Sequence, residues 1–356
     1  MDRDELDAII VADNADVLHR GFLRYVSDWR LWIGGGYFVL PRAAPGALIV
    51  SPGSHGHWAG AAARPYATVA TGDAVAAVAR AVGELGMEHP RLGLVGHRDA
   101  MPIAHHERLL RELPSAAIVD ATALVQRAML FKSPTEVARA SASHTAVGRA
   151  LDTIAETIRP GMTERRALAP GAAVLFEHGC LDGYIHLSHD DAPYLRPATE
   201  RRITADDVLK VQIEASGENG YWVELAMVVS FRPPSASLAL HFAATAAALE
   251  RCAGLLRPGA TVSELRAAVT ASFTDAGLHP TPGDHGGYHG IGLNLVEPPT
   301  DRDGVGIEAG MLIMLSPNAT VVDHAWGMFL PDSFFVNESG SQPLHDMEHR
   351  WRVCER

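Results

Sequence analysis

The chain is poor in cysteine, in basic runs and in long apolar stretches. Cys180, Cys252 and Cys354 are its only cysteines in 356 residues, and none forms a CxxC pair. That excludes a disulfide framework, a zinc ribbon and a thioredoxin-type centre, and fits reduced thiols in a cytosol. Basic residues never cluster beyond pairs such as Arg165-Arg166 and Arg201-Arg202. Lys and Arg number 30 against 42 Asp and Glu, a net charge of −12. Nucleic-acid binding is therefore not expected. No apolar run reaches the roughly 20 residues a bilayer requires. The segment Met1-Asp2-Arg3-Asp4-Glu5-Leu6 is acidic where a signal peptide is basic. The expectation is a cytoplasmic protein with no membrane contact, acting on a small molecule. Hydrophobic residues at 47% and charged residues at 20% place the chain among ordinary globular proteins.

Residues 1–128 alternate short apolar runs with helical spacing, which predicts an α/β domain. Leu6–Val11, Ala47–Val50, Leu92–Val95 and Ala117–Val119 are strand-like. Gly72–Leu85 and Leu109–Leu113 have helical spacing. Residues 129–356 read differently. Ser133-Pro134-Thr135-Glu136 is a helix start, with a Ser cap, Pro in the first turn and an acid behind it. The helix is expected from Thr135 to about Ile158.

An internal repeat organises the chain from this helix onward. Ile158-Arg159-Pro160-Gly161-Met162-Thr163 recurs as Leu256-Arg257-Pro258-Gly259-Ala260-Thr261. A long Ala-rich helix precedes each copy and a second helix comes after it, ending at Glu177-His178-Gly179 and Asp275-Ala276-Gly277. Gly- and aromatic-rich β regions come next, at about 184–232 and 281–337. The expectation is an α+β domain of duplicated helix–helix–sheet units.

Four segments carry candidate chemistry. Tyr184 to Tyr194 (YIHLSHDDAPY) is dense in His, Asp and Tyr, with His189 and Tyr194 as candidates. In Val211 to Leu225, Asn219-Gly220 between alternating runs signals a hairpin. Period two puts Glu214 with Gln212, and Glu224 with Trp222, so both carboxylates can face one cleft beside Tyr221. Such a pair suits a divalent metal or acid–base work. In Asp284 to Leu293, glycines flank His285 and His289, which implies backbone packed close to a site or another strand; Glu297 lies just beyond. The fourth segment offers Ser316 and Asp332 beside apolar runs.

Several motifs resemble the creatinase / aminopeptidase P / methionine aminopeptidase family, with its pita-bread fold. Phe131-Lys132-Ser133-Pro134-Thr135-Glu136-Val137 resembles that family's junction into the catalytic domain. His289-Gly290-Ile291-Gly292-Leu293 with Glu297-Pro298 resembles its HGIGL…HEP motif. Glu308-Ala309-Gly310-Met311 and Val336-Asn337-Glu338-Ser339-Gly340 resemble its last strands. The resemblance implies an α/β N-terminal domain over 1–128, a pita-bread catalytic domain over 129–356, and a homodimer. In that homodimer Arg30 or His57 would reach the other subunit's cleft.

Metallopeptidases of that family bind two metals through Asp, Asp, His, Glu and Glu. Here the matching positions hold Ile213 or Glu214, then Glu224, His289, Ser316 and Pro331, with Asp332 adjacent. The creatinase-type proton shuttle and guanidinium-binding acids match Tyr194, Ala226 and Ser316. The expectation is a metal-independent, cofactor-free hydrolase cleaving a non-peptide C–N bond of a small polar substrate. Glu214, Glu224, His289 and Tyr194 would be catalytic. Glu297, His285, Ser316, Asp332, Tyr221, Trp222 and His189 would bind or orient substrate. One alternative is a one-metal Xaa-Pro peptidase-like or lyase-type enzyme. Another is a catalytically silent binding module.

Overall fold

A computed structural model describes residues 1, 5–51, 66–189, 195–279, 287–300, 304–320, 327–345 and 351–354. The chain divides into two compact units. Unit 1 is Met1–Met129 with Leu293–Leu295, and unit 2 is Leu130–Gly292 with Val296–Arg356.

Unit 1 is built on a six-stranded sheet: β1 (Ala8–Asn14), β2 (Gly35–Pro41), β3 (Ala47–Ser51), β4 (Ala67–Ala70), β5 (Arg91–Val95) and β6 (Ala117–Asp120). The order is β4-β3-β2-β1-β5-β6. β1 runs antiparallel to β2 and parallel to β5. Helices α1 (Gly21–Ser27), α2 (Ala74–Gly83) and α3 (Ile103–Glu112) lie between the strands, and α4 (Thr122–Leu130) follows β6. One core cluster includes Ile10, Val39, Ile49, Val78 and Leu94. The apolar runs read from sequence as strands are strands. β2, with its apolar run Tyr37-Phe38-Val39-Leu40, and the short α1 were not among the elements expected.

Unit 2 contains the repeat. Helices α5 (Pro134–Thr157) and α6 (Glu164–Glu177) precede a five-stranded sheet; α7 (Ala236–Leu255) and α8 (Val262–Asp275) precede a four-stranded one. The first sheet is β7 (Asp182–His189), β8 (Arg196–Pro197), β9 (Val208–Ser216) and β10 (Trp222–Ser230), with β17 (Trp351–Val353) added at the edge. Its order is β17-β10-β9-β7-β8. The second is β11 (Gly287–Gly290), β12 (Leu312–Ser316), β15 (Asp332–Asn337) and β16 (Gly340–Pro343), in chain order. β13 (Asn318–Thr320) and β14 (Gly327–Phe329) form a separate hairpin.

The duplication extends to the backbone. Gly161 and Gly259 hold φ of 91° and 83°, and Gly179 and Gly277 both hold 73°. The turn after α6 closes with Cys180 N donating to Leu175 O, and the turn after α8 with Leu278 N donating to Phe273 O. These are one helix-ending motif at equivalent places, and glycine takes the left-handed position in each. Ser133 with Glu136 and Thr261 with Glu264 form complete capping boxes. The second sheet buries Ile313, Leu315, Phe334 and Val336 against Ala248, Leu249, Val269 and Phe273 of α7 and α8. Among the described residues no helix is long and apolar enough to cross a membrane.

Candidate active site

Strand alternation gives the first sheet two unlike faces. Leu209, Val211, Ile213 and Ala215 of β9 lie on one side with Val223, Leu225 and Val229 of β10, all buried. The other side carries Lys210, Gln212, Glu214, Trp222 and Glu224, with Tyr184 and His186 from β7. Tyr184, Glu214 and Glu224 occupy a single register row across β7, β9 and β10.

Glu214 and Glu224 are therefore direct cross-strand partners. The main-chain N–H of Glu224 donates to Ser333 Oγ of β15 at 3.4 Å, away from β9. The two acids thus form a non-hydrogen-bonded pair, the kind in which Cα atoms lie about 4.5 Å apart and side chains sit closest. Burial pushes the Glu214 carboxyl up to about 7. Burial, then the neighbouring Glu214 charge, holds Glu224 well above the usual range, against the opposing hydrogen bond from Gln212. Two carboxylates in one desolvated place do not both ionise readily, so the pair retains a proton near neutrality.

Gln212 links this pair to the next row. Its Nε2 donates to Glu224 Oε1. Its Oε1 accepts from His186 Nδ1 at 3.3 Å. The ring of His186 stacks on Tyr184 with centroids 5.7 Å apart and planes 19° apart. Tyr184 in turn stacks on Trp222 at 6.4 Å and 21°. Three near-parallel rings thus flank the carboxylates. Trp222 is buried, while Tyr184 is 39% exposed.

The second sheet contributes through one row. His289, Met314 and Ser333 are register partners on β11, β12 and β15, so His289 shares a face with the hydroxyl that meets Glu224. His289 Nδ1 lies 2.9 Å from Gly290 O. A carbonyl only accepts, so Nδ1 carries a proton. Gly290 shows why glycine is needed here. A Cβ on it would lie 2.1 Å from Pro298 O, because Gly290 bridges to Glu297 across the turn. The glycine-rich run is thus a close backbone approach, as its composition predicts.

Other sequence candidates sit elsewhere. Glu297 forms a buried ion pair with Lys132, Nζ to Oε2 2.7 Å. Ser316 Oγ donates to Gly287 O at 2.9 Å and accepts from Gly287 N at 3.2 Å, tying β12 to β11. Asp332 holds His144 Nε2 of α5 at 2.8 Å; its register partner is Leu315, on the face opposite Ser333 and His289. Tyr221 OH donates to Glu136 Oε1 at 2.8 Å. His189 is fully buried, 2.8 Å from Glu164 and 3.2 Å from Asp207. Glu164 also accepts from both terminal nitrogens of Arg196 and from the backbone and hydroxyl of Thr199. Burial opposes its charge, but these donors win and hold it well below the usual carboxylate range. Asp332 and His189 thus serve buried pairs rather than an open cleft, because each strand end turns its side chain toward a helix or loop. Tyr194, His285 and His57 lie outside the described residues.

Tyr184, His186, Gln212 and Ser333 are the neighbours of the pair that the sequence reading did not select. Tyr184 and His186 had a signal, since period two along β7 aligns them. Ser333 had none, because its approach to β10 depends on how two sheets pack.

The five metal-ligand positions implied by the family resemblance can be tested on this geometry. Ile213 faces the apolar side, Ser316 is closed on Gly287, and Asp332 beside Pro331 is turned to His144. Among the described residues no group of three or more His, Cys, Asp or Glu is gathered to hold a metal ion. Two divalent ions need several bridging carboxylates to offset their charge. The donor set here does not fit them.

Known proteins give this geometry a context. The chain is 24% identical over 257 residues to the probable dipeptidase PepE of Mycobacterium tuberculosis, spanning 70% of this chain and 68% of that one. It is 23% identical over 273 residues to the ectoine hydrolase of Halomonas elongata, spanning 68% and 64%. The solved X-Pro aminopeptidase of Thermotoga maritima shares the fold with a TM-score of 0.81 at 17% identity, covering 97% of each chain. The model of metallopeptidase family M24 matches residues 138–338. With the duplicated helix–helix–sheet units of the pita-bread fold and an α/β N-terminal unit before them, the chain belongs to metallopeptidase family M24, a family of hydrolases.

Proposed function

We propose that this chain is a hydrolase that cleaves a C–N bond of a small polar substrate through the Glu214–Glu224 pair, without a metal at these residues. The observation that carries the reading is the direct opposition of these two acids on β9 and β10, both with raised proton affinity. A pair holding one proton contains a base and an acid side by side. The ionised carboxylate takes a proton from water as its oxygen attacks the carbon of an amide- or amidine-type group. The protonated partner gives its proton to the nitrogen as the C–N bond breaks. His289, on the same face of the second sheet as Ser333, is assigned the onward passage of a proton. Ser333 fixes the backbone of Glu224.

The ectoine hydrolase relative supports a substrate that is not a peptide. The dipeptidase and aminopeptidase names favour a second reading, hydrolysis of dipeptides with proline in the second position. One experiment separates them. Purified protein, dialysed against a chelator and assayed for metal, is screened on amides, ureides, amidines and Xaa-Pro dipeptides. The expected outcome is turnover of a non-peptide member of the panel that survives metal removal. Glu214→Gln and Glu224→Gln should each lower kcat by about 10²–10⁴-fold with folding intact, the usual cost of removing a general acid or base. Turnover confined to dipeptides and abolished by the chelator would overturn the proposal.

A further inference from the structure

The edge strand of the first sheet carries chemistry that the candidate site does not use. Asp152, Ala155 and Glu156 lie within one helical turn on α5, so they share a face. Period two turns Arg352 of β17 and the following Cys354 to one side, and both reach that face. Arg352 Nη2 donates to Asp152 Oδ1 at 2.7 Å. Cys354 Sγ donates to Ala155 O at 3.0 Å. Between helix and strand lies a cleft of about 310 Å³, lined by Asp152, Ala155, Glu156, Arg352, Val353 and Cys354. That volume is ligand-sized.

The walls offer both signs of charge with capacity to spare. Arg352 gives one N–H to Asp152, and among the described residues its Nε and Nη1 meet no further acceptor. Among the same residues the Glu156 carboxylate meets no donor, although its backbone carbonyl accepts from Arg159. A ligand of one sign satisfies half of such a cleft and is repelled by the other half. A simple anion meets Asp152 and Glu156; a simple cation meets Arg352. A molecule carrying both charges meets each wall with its opposite, ammonium to carboxylate and carboxylate to guanidinium. Ala155 and the exposed Val353 give an apolar side chain somewhere to lie.

We propose that this cleft binds a small zwitterion of the α-amino-acid class, and that the bound molecule clamps β17 onto α5. β17 pairs with β10 along Val228–Ser230. The clamp therefore secures the edge of the strand that carries Glu224 further along its length. The cleft shares no lining residue with the Glu214–Glu224 pair, so the proposal stands or falls independently of what that pair does.

Cys354 reports occupancy directly. It is half-buried and lines the cleft, whereas Cys180 and Cys252 are buried elsewhere. The intact protein is reacted with dithionitrobenzoate in the presence of L-leucine, of N-acetyl-L-leucine, which keeps only the negative charge, or of L-leucinamide, which keeps only the positive one. Cys354→Ser identifies the share of the reaction that belongs to Cys354. L-Leucine at about 20 mM should slow that share about threefold or more and raise the melting temperature by about 2 °C, and neither analogue should do so. Glu156→Gln and Arg352→Gln should each lose the protection, with circular dichroism verifying the fold; Glu156 is exposed, so its variant tests the cleft without disturbing β17. Absence of protection by leucine, equal protection by either analogue, or protection that survives in either variant would overturn the proposal.

Discussion

Single residues carry two opposite electrostatic arrangements. Glu214 is an acid whose folded state favours the proton, raised from 4.5 to about 7 by burial. Its protonated form therefore adds stability that is complete below about 4.5 and is lost as pH rises through about 7. Glu214→Gln mimics the protonated form at every pH. It should raise the melting temperature at pH 8, by the equivalent of about 1–3 kcal/mol, and change little at pH 4.5. Calorimetric melts at the two pH values check this; an equal effect at both would contradict the burial argument. Glu164 is the reverse, a carboxylate kept charged by Arg196, Thr199 and His189 against the burial that opposes it. Its contribution is present above the unfolded value near 4.5 and fades as pH falls toward its lower folded value. Glu164→Gln should cost about 2–4 kcal/mol at pH 7 and flatten the acid limb of a pH–stability curve. The sequence showed that Glu214 and Glu224 share a face, because alternation alone settles that. It could not show that His189 is spent on Glu164, since the two are 25 residues apart and meet only when α6 packs beside β7.

At the scale of elements, local chemistry and tertiary demand agree closely. Ser133-Pro134-Thr135-Glu136 starts α5 one residue from the expected place, and its capping box is complete. The segment from His289 to Glu297 doubles back on itself. Gly290 N donates to Pro299 O and Glu297 N to Gly290 O. Because a Cβ at 290 meets a main-chain carbonyl and not a flexible side-chain tip, Gly290→Ala should destabilise the protein by about 1–3 kcal/mol or more. Denaturant unfolding of that variant against Gly287→Ala, where a Cβ meets only Ser316 Oγ at 3.3 Å, isolates the effect. A smaller loss at 290 than at 287 would refute it. β2 and α1 were not legible in advance. β2 holds the apolar run Tyr37-Phe38-Val39-Leu40, which pairing with β1 buries as a strand, and α1 spans only seven residues, too few for a periodic signal.

For the whole molecule, the repeat was the strongest signal, and it survives as paired helices, matched left-handed glycines and two sheets. The match to family M24 over residues 138–338 covers both halves. What the sequence could not supply is which distant segments pair into one sheet, because that depends on long-range packing. β17 illustrates the point. Residues 351–353 run parallel to Val228–Ser230, and Trp351 Nε1 donates to Ser230 Oγ at 2.8 Å. Cys354 N donates to Ser230 O at 2.7 Å, and Arg352 reaches Asp152 of α5 at 2.7 Å. The first sheet is thus completed from the far end of the second half. A chain cut after residue 345 should lose several degrees of melting temperature, read by circular dichroism; an unchanged melt would show β17 to be dispensable. The same feature sets an order on biosynthesis. As the chain leaves the ribosome, the strands carrying Glu214 and Glu224 emerge more than a hundred residues before their edge partner. Until translation reaches Trp351, the nascent first half has a bare strand edge at Val228–Ser230, exposed to mispairing with other emerging chains.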